Sequence, residues 1–332
     1  MSAKHANISI FVSHMGCPNQ CSFCNQRYIA GTAYVPNADS VKRAVEESGI
    51  GEKFSFENAE IAFFGGSFTA IDRSPMIELL EAAHKYVLNG RVRGIRISTR
   101  PDAIDSEVLS ILKKYGVTAI ELGAQSMDDE VLLFNKRGHT AEDVRKASRL
   151  IKQNGFELGL QMMTGLPKSD NAKDIKTADE FIKLKPDTVR IYPTIVLENT
   201  DLCGMVKKGE YSPQSLDKAV SLCARLLCMF KSENIKVIRL GLHTISEEHY
   251  VAGPWHPAFS EMVYSEIYLN NARKTFAKMP FGEYNVYVPV GDTSKMIGQK
   301  RKNILMLEKM GYICKVKEDE RLKEFEIYIE RK

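Results

Sequence analysis

From Asn7 to about His243 the chain alternates short β-branched or aromatic runs with longer amphipathic stretches, and few folds accommodate that alternation. Strands are predicted at 8–13, 60–64, 94–98, 117–122, 157–163, 188–192 and 236–240, and helices near 40–47, 75–87, 106–115, 141–154, 172–184 and 213–231. Runs such as IAFF and IRIS are nearly all apolar, as strands covered on both faces require. Gly116 and Gly155 follow predicted helices as stop residues, while Asp105 and Thr140 are placed to cap helix starts. The expectation is an α/β fold, a partial (β/α)6-type barrel over residues 1–250. After Gly253 the pattern changes to a helix near 259–276, a strand YNVYVPV, a second helix and two more strands. That reads as a small C-terminal α+β domain, residues 251–332.

In sheets of this kind the chemistry sits at the carboxyl ends of the strands. Directly after the first five predicted strands come HMGCPNQCSFC, GGSFT, STRPD, GAQS and TGLP, so five polar or Gly-rich clusters share one rim. Seven cysteines is an odd number, and Cys17, Cys21 and Cys24 fall within eight residues. A disulfide framework is not expected, and Cys203, Cys223, Cys228 and Cys314 read as small buried hydrophobes. Three thiolates on one loop can wrap three corners of a cubane iron–sulfur cluster, leaving one iron open to an amine and a carboxylate. A structural zinc needs a fourth ligand, for which only His14 is near in sequence. A thioredoxin-type CxxC is disfavoured by the third cysteine upstream. The balance of 46 Lys+Arg against 42 Asp+Glu excludes a strong global field, so a nucleic-acid footprint must be local. The apolar run near the start spans five residues and no later run reaches the length of a membrane span, from which a cytoplasmic protein with no membrane partner is expected.

The Cx3Cx2C loop with Phe23 before its last cysteine, followed by Gly65-Gly66, resembles the radical S-adenosyl-L-methionine (SAM) superfamily. Within it, FGGSFT, ELGAQS, NKRGHT, GLPKSD and IYPTIVLENTDL together resemble the radical SAM domain of the Elongator catalytic subunit over most of 7–243. The resemblance implies an iron-sulfur metal-binding enzyme with a 4Fe-4S cluster on Cys17, Cys21 and Cys24, cleaving SAM reductively to a 5′-deoxyadenosyl radical with electrons from a reducing donor protein. It further implies that Gly65, Gly66 and Ser67 present backbone to the SAM amino group. Ser98, Thr99 and Gln125 would hydrogen-bond ribose and methionine, Arg137 would pair with the carboxylate, and Met162 and Met163, with Gly165, would flank the adenine. Elongator subunits space their first two cluster cysteines more widely and continue into an acetyltransferase domain, so the resemblance to their radical SAM domain does not carry acetyl transfer with it.

The stretch VYVPVGDTSKMIGQKRKNILMLEKMGYICKV resembles a KH-type RNA-binding unit, whose Gly-x-x-Gly loop clamps a single-stranded backbone. Here the loop reads Gly298-Gln299-Lys300-Arg301, so the second glycine is replaced. Lys295, Gly298, Lys300, Arg301 and Lys302 are the RNA-contact candidates, and the Elongator resemblance implies tRNA modification. Open alternatives are a non-catalytic RNA-binding or redox-sensing iron–sulfur protein, and a radical SAM enzyme for a small molecule or peptide. His139, Tyr192, His243, His256 and Glu261 have no assigned role.

Overall fold

The computed structural model describes residues 6–12, 17, 20–25, 35–49, 55–242 and 247–332. Two compact units divide the chain, one made of Met1–Pro213 with Phe230–Gly253, the other of Gln214–Met229 with Pro254–Lys332.

The first unit is built on a parallel sheet. Its strands are β1 (Ala6–Val12), β2 (Ala59–Gly65), β3 (Gly94–Thr99), β4 (Val117–Gln125), β5 (Glu157–Thr164) and β6 (Thr188–Pro193). A short strand β7 (Val196–Leu197) precedes the last sheet strand, β8 (Lys236–Leu240), and pairs antiparallel with β9 (Tyr250–Ala252). The sheet order is β1-β2-β3-β4-β5-β6-β8, with every pairing parallel. Neighbours in sequence are therefore neighbours in space, and all strand ends carrying the polar motifs lie on one rim. This is the partial barrel expected, with the seventh predicted strand, 236–240, at its edge.

The connecting helices are α1 (Ala38–Glu47), α2 (Arg73–Leu88), α3 (Ser106–Lys114), α4 (Asp129–Phe134), α5 (Ala141–Gln153), α6 (Asn171–Leu184) and α7 (Asp201–Lys207). The expected caps are real. Asp105 accepts from the Val108 amide at 2.8 Å, and Thr140 forms a capping box with Asp143. Alternate residues of the central strands, including Ile95 and Ile97, Ile120 and Leu122, Leu158 and Leu160, and Val189 and Ile191, are buried on the helix-facing side. Each contributes about 1.5–3 kcal/mol of burial. The other face carries charge: Glu60, Arg96 and Glu121 are all at most 3% exposed. Arg96 reaches Glu60 at 2.8 Å, Glu157 at 2.8 Å and Glu121 at 3.3 Å, while Arg190 grips Glu121 with two bonds at 2.7 and 2.9 Å. Burial by itself would raise the Glu60 carboxyl, but Arg96 and Arg93 outweigh it and hold the group below the ordinary carboxylate range. Gly159 makes room for this network, because a Cβ there would lie 2.7 Å from Glu121 Cγ.

The second unit contains α9 (Phe259–Phe276), which follows α8 (Leu216–Ser232) in the chain, and then β10 (Gly282–Val288), α10 (Thr293–Ile297), α11 (Lys302–Lys309), β11 (Tyr312–Glu318) and β12 (Tyr328–Arg331). Its sheet has the order β11-β10-β12, with β11 parallel and β12 antiparallel to β10. Tyr268, Phe276, Tyr284, Val286, Val288, Met296 and Leu307 form its core.

Candidate active site

The cysteine loop is held to the barrel rim by the residue between two of its cysteines. Ser22 is fully buried, donates its hydroxyl to Asn135 Oδ1 at 2.6 Å and its amide to Asn135 O at 3.3 Å, and accepts from the Leu202 amide at 2.8 Å. Asn135, itself fully buried, donates in turn to Val131 O at 2.8 Å and Pro167 O at 3.0 Å. One amide thus joins the cysteine loop, α4 and the loop after β5. Phe23 packs against the apolar cluster of Val131, Met163 and Leu166 and against that of Val196, Leu202 and Cys203. A turn, in which the Cys24 amide donates to Cys21 O at 3.1 Å, brings the backbone of these two cysteines together. All three motif cysteines are half-buried.

One guanidinium bonds a motif thiol, and a second feels their charge. Arg137 Nη1 donates to Cys21 Sγ at 3.0 Å, and its Nη2 donates to Gly123 O at 2.6 Å, tying the cysteine loop to the end of β4. The same guanidinium lies 5.9 Å from the Phe23 ring centroid. The charge of Arg100 is favoured first by its hydrogen bond to Asp102, and also by Cys17 and Cys21. His139 lies beside Arg137 in sequence, with Nε2 3.2 Å from Ala124 O, and burial followed by the Arg137 charge pushes its imidazole down to about 4. It is neutral at physiological pH and adds no third cation.

Strand parity sorts the expected SAM residues. Successive side chains point to opposite faces, so Ser98 shares the face of Arg96, and Met163 shares that of Gly159. Thr99 and Met162 lie on the opposite, helix-facing side. Thr99 is engaged there. Its hydroxyl is 2.6 Å from Thr69 Oγ1 and 3.3 Å from Ser67 Oγ, Ser67 accepts from the Arg100 amide at 3.0 Å, and Thr69 donates to Ala103 O at 2.6 Å. The Ser67 and Thr99 hydroxyls therefore join two rim loops to each other, and of the methionine pair it is Met163 that packs with Phe23. Gly65, at φ +103°, turns the chain at the end of β2, and the Gly66 amide donates to Val12 O at 2.7 Å. Gly165 donates its amide to the buried Asp174 at 2.9 Å and its carbonyl accepts from the Tyr211 hydroxyl at 2.6 Å.

Gln125 ends β4 in the left-handed region, at φ +66°, a conformation costly for a non-glycine residue and concentrated at functional sites. Its Oε1 and Arg137 Nε are buried without a hydrogen-bond partner among the described residues, as are the Thr164 and Thr194 hydroxyls at neighbouring strand ends. Unsatisfied buried polar atoms of this kind are what a polar ligand would complete. Gly123 brings the pair together, since a Cβ there would lie 3.3 Å from the Gln125 amide nitrogen and 3.5 Å from Arg137. Among the described residues, no three His, Cys, Asp or Glu side chains form a group that could hold a single metal ion. The donor set fits a cluster: three cysteines on one loop, a guanidinium on Cys21, and polar atoms on the adjoining rim that lack partners among the described residues. His14 and His243 lie outside the described residues.

Sequence reasoning missed Ser22, Asn135 and Gly123. All three stand inside motifs it had singled out, but none belongs to a residue class that declares chemistry. In the second unit the basic loop is largely neutralised by its own surroundings. Lys295 pairs with Asp292 at 2.6 Å, Lys302 with Asp217 at 2.8 Å and Arg301 with Glu308 at 3.7 Å, leaving Lys300 without a partner among the described residues. Gly298, at φ +77°, is required by packing, because a Cβ there would meet the buried Asn303 side chain at 3.0 Å and Ser265 Oγ at 3.1 Å.

Residues 12–182 match the Radical SAM superfamily and residues 186–268 the Radical_SAM C-terminal domain. The chain is 41% identical over 148 residues to a tRNA uridine(34) acetyltransferase of Methanocaldococcus jannaschii, covering 43% of this chain and 27% of that protein. It is 37% identical over 139 residues to human Elongator complex protein 3, covering 41% of this chain and 25% of the other. The match thus spans about a quarter of the length of these relatives. An uncharacterized protein of M. jannaschii is 28% identical over 74% of each chain. Among solved structures, Elp3 of Methanocaldococcus infernus superposes over 83% of this chain and 64% of that one, with a TM-score of 0.66 at 23% identity, a likeness of fold. The chain belongs to the radical SAM superfamily, as an enzyme of that class with an Elongator-like radical SAM domain.

Proposed function

We propose that the chain binds a 4Fe-4S cluster through Cys17, Cys21 and Cys24, cleaves SAM, and modifies a nucleoside of tRNA. The family implies the cluster and SAM, and the relatives named above include tRNA-modifying enzymes. Cys17, Cys21 and Cys24 would hold the cluster, which would supply the one-electron reduction of SAM that radical chemistry on the substrate requires.

The observation that carries this reading is the Arg137 bridge, one nitrogen on Cys21 Sγ and another on Gly123 O. It fixes the cysteine loop against the β4 end, and Nε, without a partner among the described residues, would meet the SAM carboxylate beside Gln125. A planar guanidinium suits that double duty better than an ammonium. Ser98 and Met163 are assigned to the SAM side, with backbone of Gly65, Gly66 and Ser67 toward the amino group. Phe23 and the apolar residues around it exclude water from the cysteine loop. In this reading Ser67 and Thr99 act through their hydroxyl network, holding the second and third rim loops in register.

Anaerobic reconstitution with iron and sulfide, followed by reduction in the presence of SAM and bulk tRNA, tests the proposal. Expected are a cluster absorbance band, 5′-deoxyadenosine, and an altered nucleoside in the digested tRNA. Cys17→Ala, Cys21→Ala and Cys24→Ala should each abolish all three. Cluster-free protein, or cleavage that survives the three substitutions, would overturn the cluster assignment. SAM cleavage with an unchanged nucleoside pool would overturn the tRNA assignment alone.

A further inference from the structure

We infer that the open face of the three-stranded sheet in the second unit is a stacking platform for a single-stranded segment of the RNA substrate; this rests on the tRNA reading above. The pairing registers set side chains in rows across that face. Lys317, Tyr287 and Tyr328 form one row, Lys315, Asn285 and Glu330 the next, and Ile313 stands beside Glu283 in the third. The opposite face, with Tyr284, Val286 and Val288, is the core of the unit. On the open face Tyr328 is 53% exposed and its ring lies 5.8 Å from that of Tyr287, tilted by 38°. Lys317 Nζ sits 5.4 Å above the Tyr287 ring.

The charges on this face are unequal in availability. Glu330 accepts from the Tyr287 hydroxyl at 3.0 Å and Glu283 pairs with Lys332 at 3.2 Å, whereas Lys315 has no partner among the described residues. Two aromatic plates with lysines along the adjoining edge strand match a nucleotide chain, whose bases stack while its phosphates need cations. A protein partner is the weaker match, because lysine is depleted from the cores of protein interfaces and Ile313 is the one aliphatic side chain in these rows. The basic loop at Gly298 pairs most of its cations within the unit, so the sheet face offers what the loop does not.

The test uses the full chain and fluorescence anisotropy with two probes, a 5′-fluorescein 12-nucleotide single-stranded RNA and a fluorescein-labelled tRNA transcript. The double variant Tyr287→Ala/Tyr328→Ala should weaken binding by about 5- to 150-fold per stacked base. Tyr287→Phe/Tyr328→Phe, which keeps the rings but loses the bond to Glu330, should bind as the unaltered protein does. Lys315→Glu/Lys317→Glu should weaken binding and lower the slope of log affinity against log salt by about 0.7 per lost phosphate contact. Formation of 5′-deoxyadenosine without RNA should be unchanged in all three. If the unaltered chain binds RNA and the alanine and glutamate variants bind it equally well, the platform is refuted and the tRNA reading stands. If the unaltered chain cleaves SAM but binds neither probe, both fall. Binding lost equally in the alanine and phenylalanine variants would also refute stacking, because the rings would then be immaterial.

Discussion

His139 offers a quantitative check on the electrostatics of the rim. Burial and the adjacent Arg137 push its imidazole from 6.5 down to about 4. In the unfolded chain the ring takes up a proton as pH falls below about 6.5; in the folded chain it stays neutral until about 4. Across that window the unfolded state binds more protons, so stability is fully present above pH 6.5 and is lost as pH falls toward 4. The difference of 2.5 units corresponds to roughly 3 kcal/mol, of which about 2 kcal/mol is already gone at pH 5. His139→Gln is the suitable comparison, because glutamine can donate to Ala124 O and does not titrate. Urea unfolding followed by far-UV circular dichroism at pH 8, 6 and 5 gives the stability of each protein. The stability of the unaltered chain minus that of the variant should fall by about 2 kcal/mol from pH 8 to pH 5. Asp174, which burial raises to about 6, has the opposite sign and gains stability as pH falls, but it is present in both proteins and cancels. Parallel pH curves for the two proteins would refute the assignment of a neutral, buried ring beside a charged Arg137.

Three further substitutions test the supports of the site. Asn135→Ala leaves the Ser22 hydroxyl and the Pro167 carbonyl without their bonds to this side chain, and should cost about 2–6 kcal/mol in urea unfolding while lowering the iron bound per chain after reconstitution. Glu121→Gln removes the charge that Arg190 and Arg96 share, and should cost about 3–5 kcal/mol; a loss below about 1 kcal/mol would mean that the network is solvated. Gly298→Ala forces a Cβ against Asn303 at a positive φ and should cost about 1–3 kcal/mol, with faster amide exchange in α10 and α11. If alanine is accepted there without loss of stability, packing is not why the position is a glycine.

Much of the barrel was legible because its signals are local. The strand at 236–240 and the helix at 259–276 were placed at their observed ends, and the Asp105 and Thr140 caps bond as their residue types require. The short helices α4 and α7 escaped notice, since six or seven residues inside motif-rich loops show no period. The β7 and β9 pairing escaped as well. Two- and three-residue strands are created by a partner distant in sequence, not by their own composition. Among the candidate residues, Cys17, Cys21 and Cys24 stood out by spacing and Arg137 by its place in NKRGHT, and the structure sets Arg137 against Cys21.

What the amino-acid sequence determined by itself was the order of repeats, the rim on which the motifs collect, and the cysteine loop that proposes the cofactor. These follow from periodicity and residue chemistry along a single strand or helix. Only the tertiary structure decided which neighbours in a motif share a face, separating Ser98 from Thr99 and Met163 from Met162. It also paired Ser22 with Asn135, kept His139 neutral beside Arg137, and set Tyr287 and Tyr328 side by side on one sheet face. The reason is common to all of these. Hydrogen bonds, desolvation and ion pairs depend on distances between residues far apart in the chain, and those distances exist only after the chain has folded.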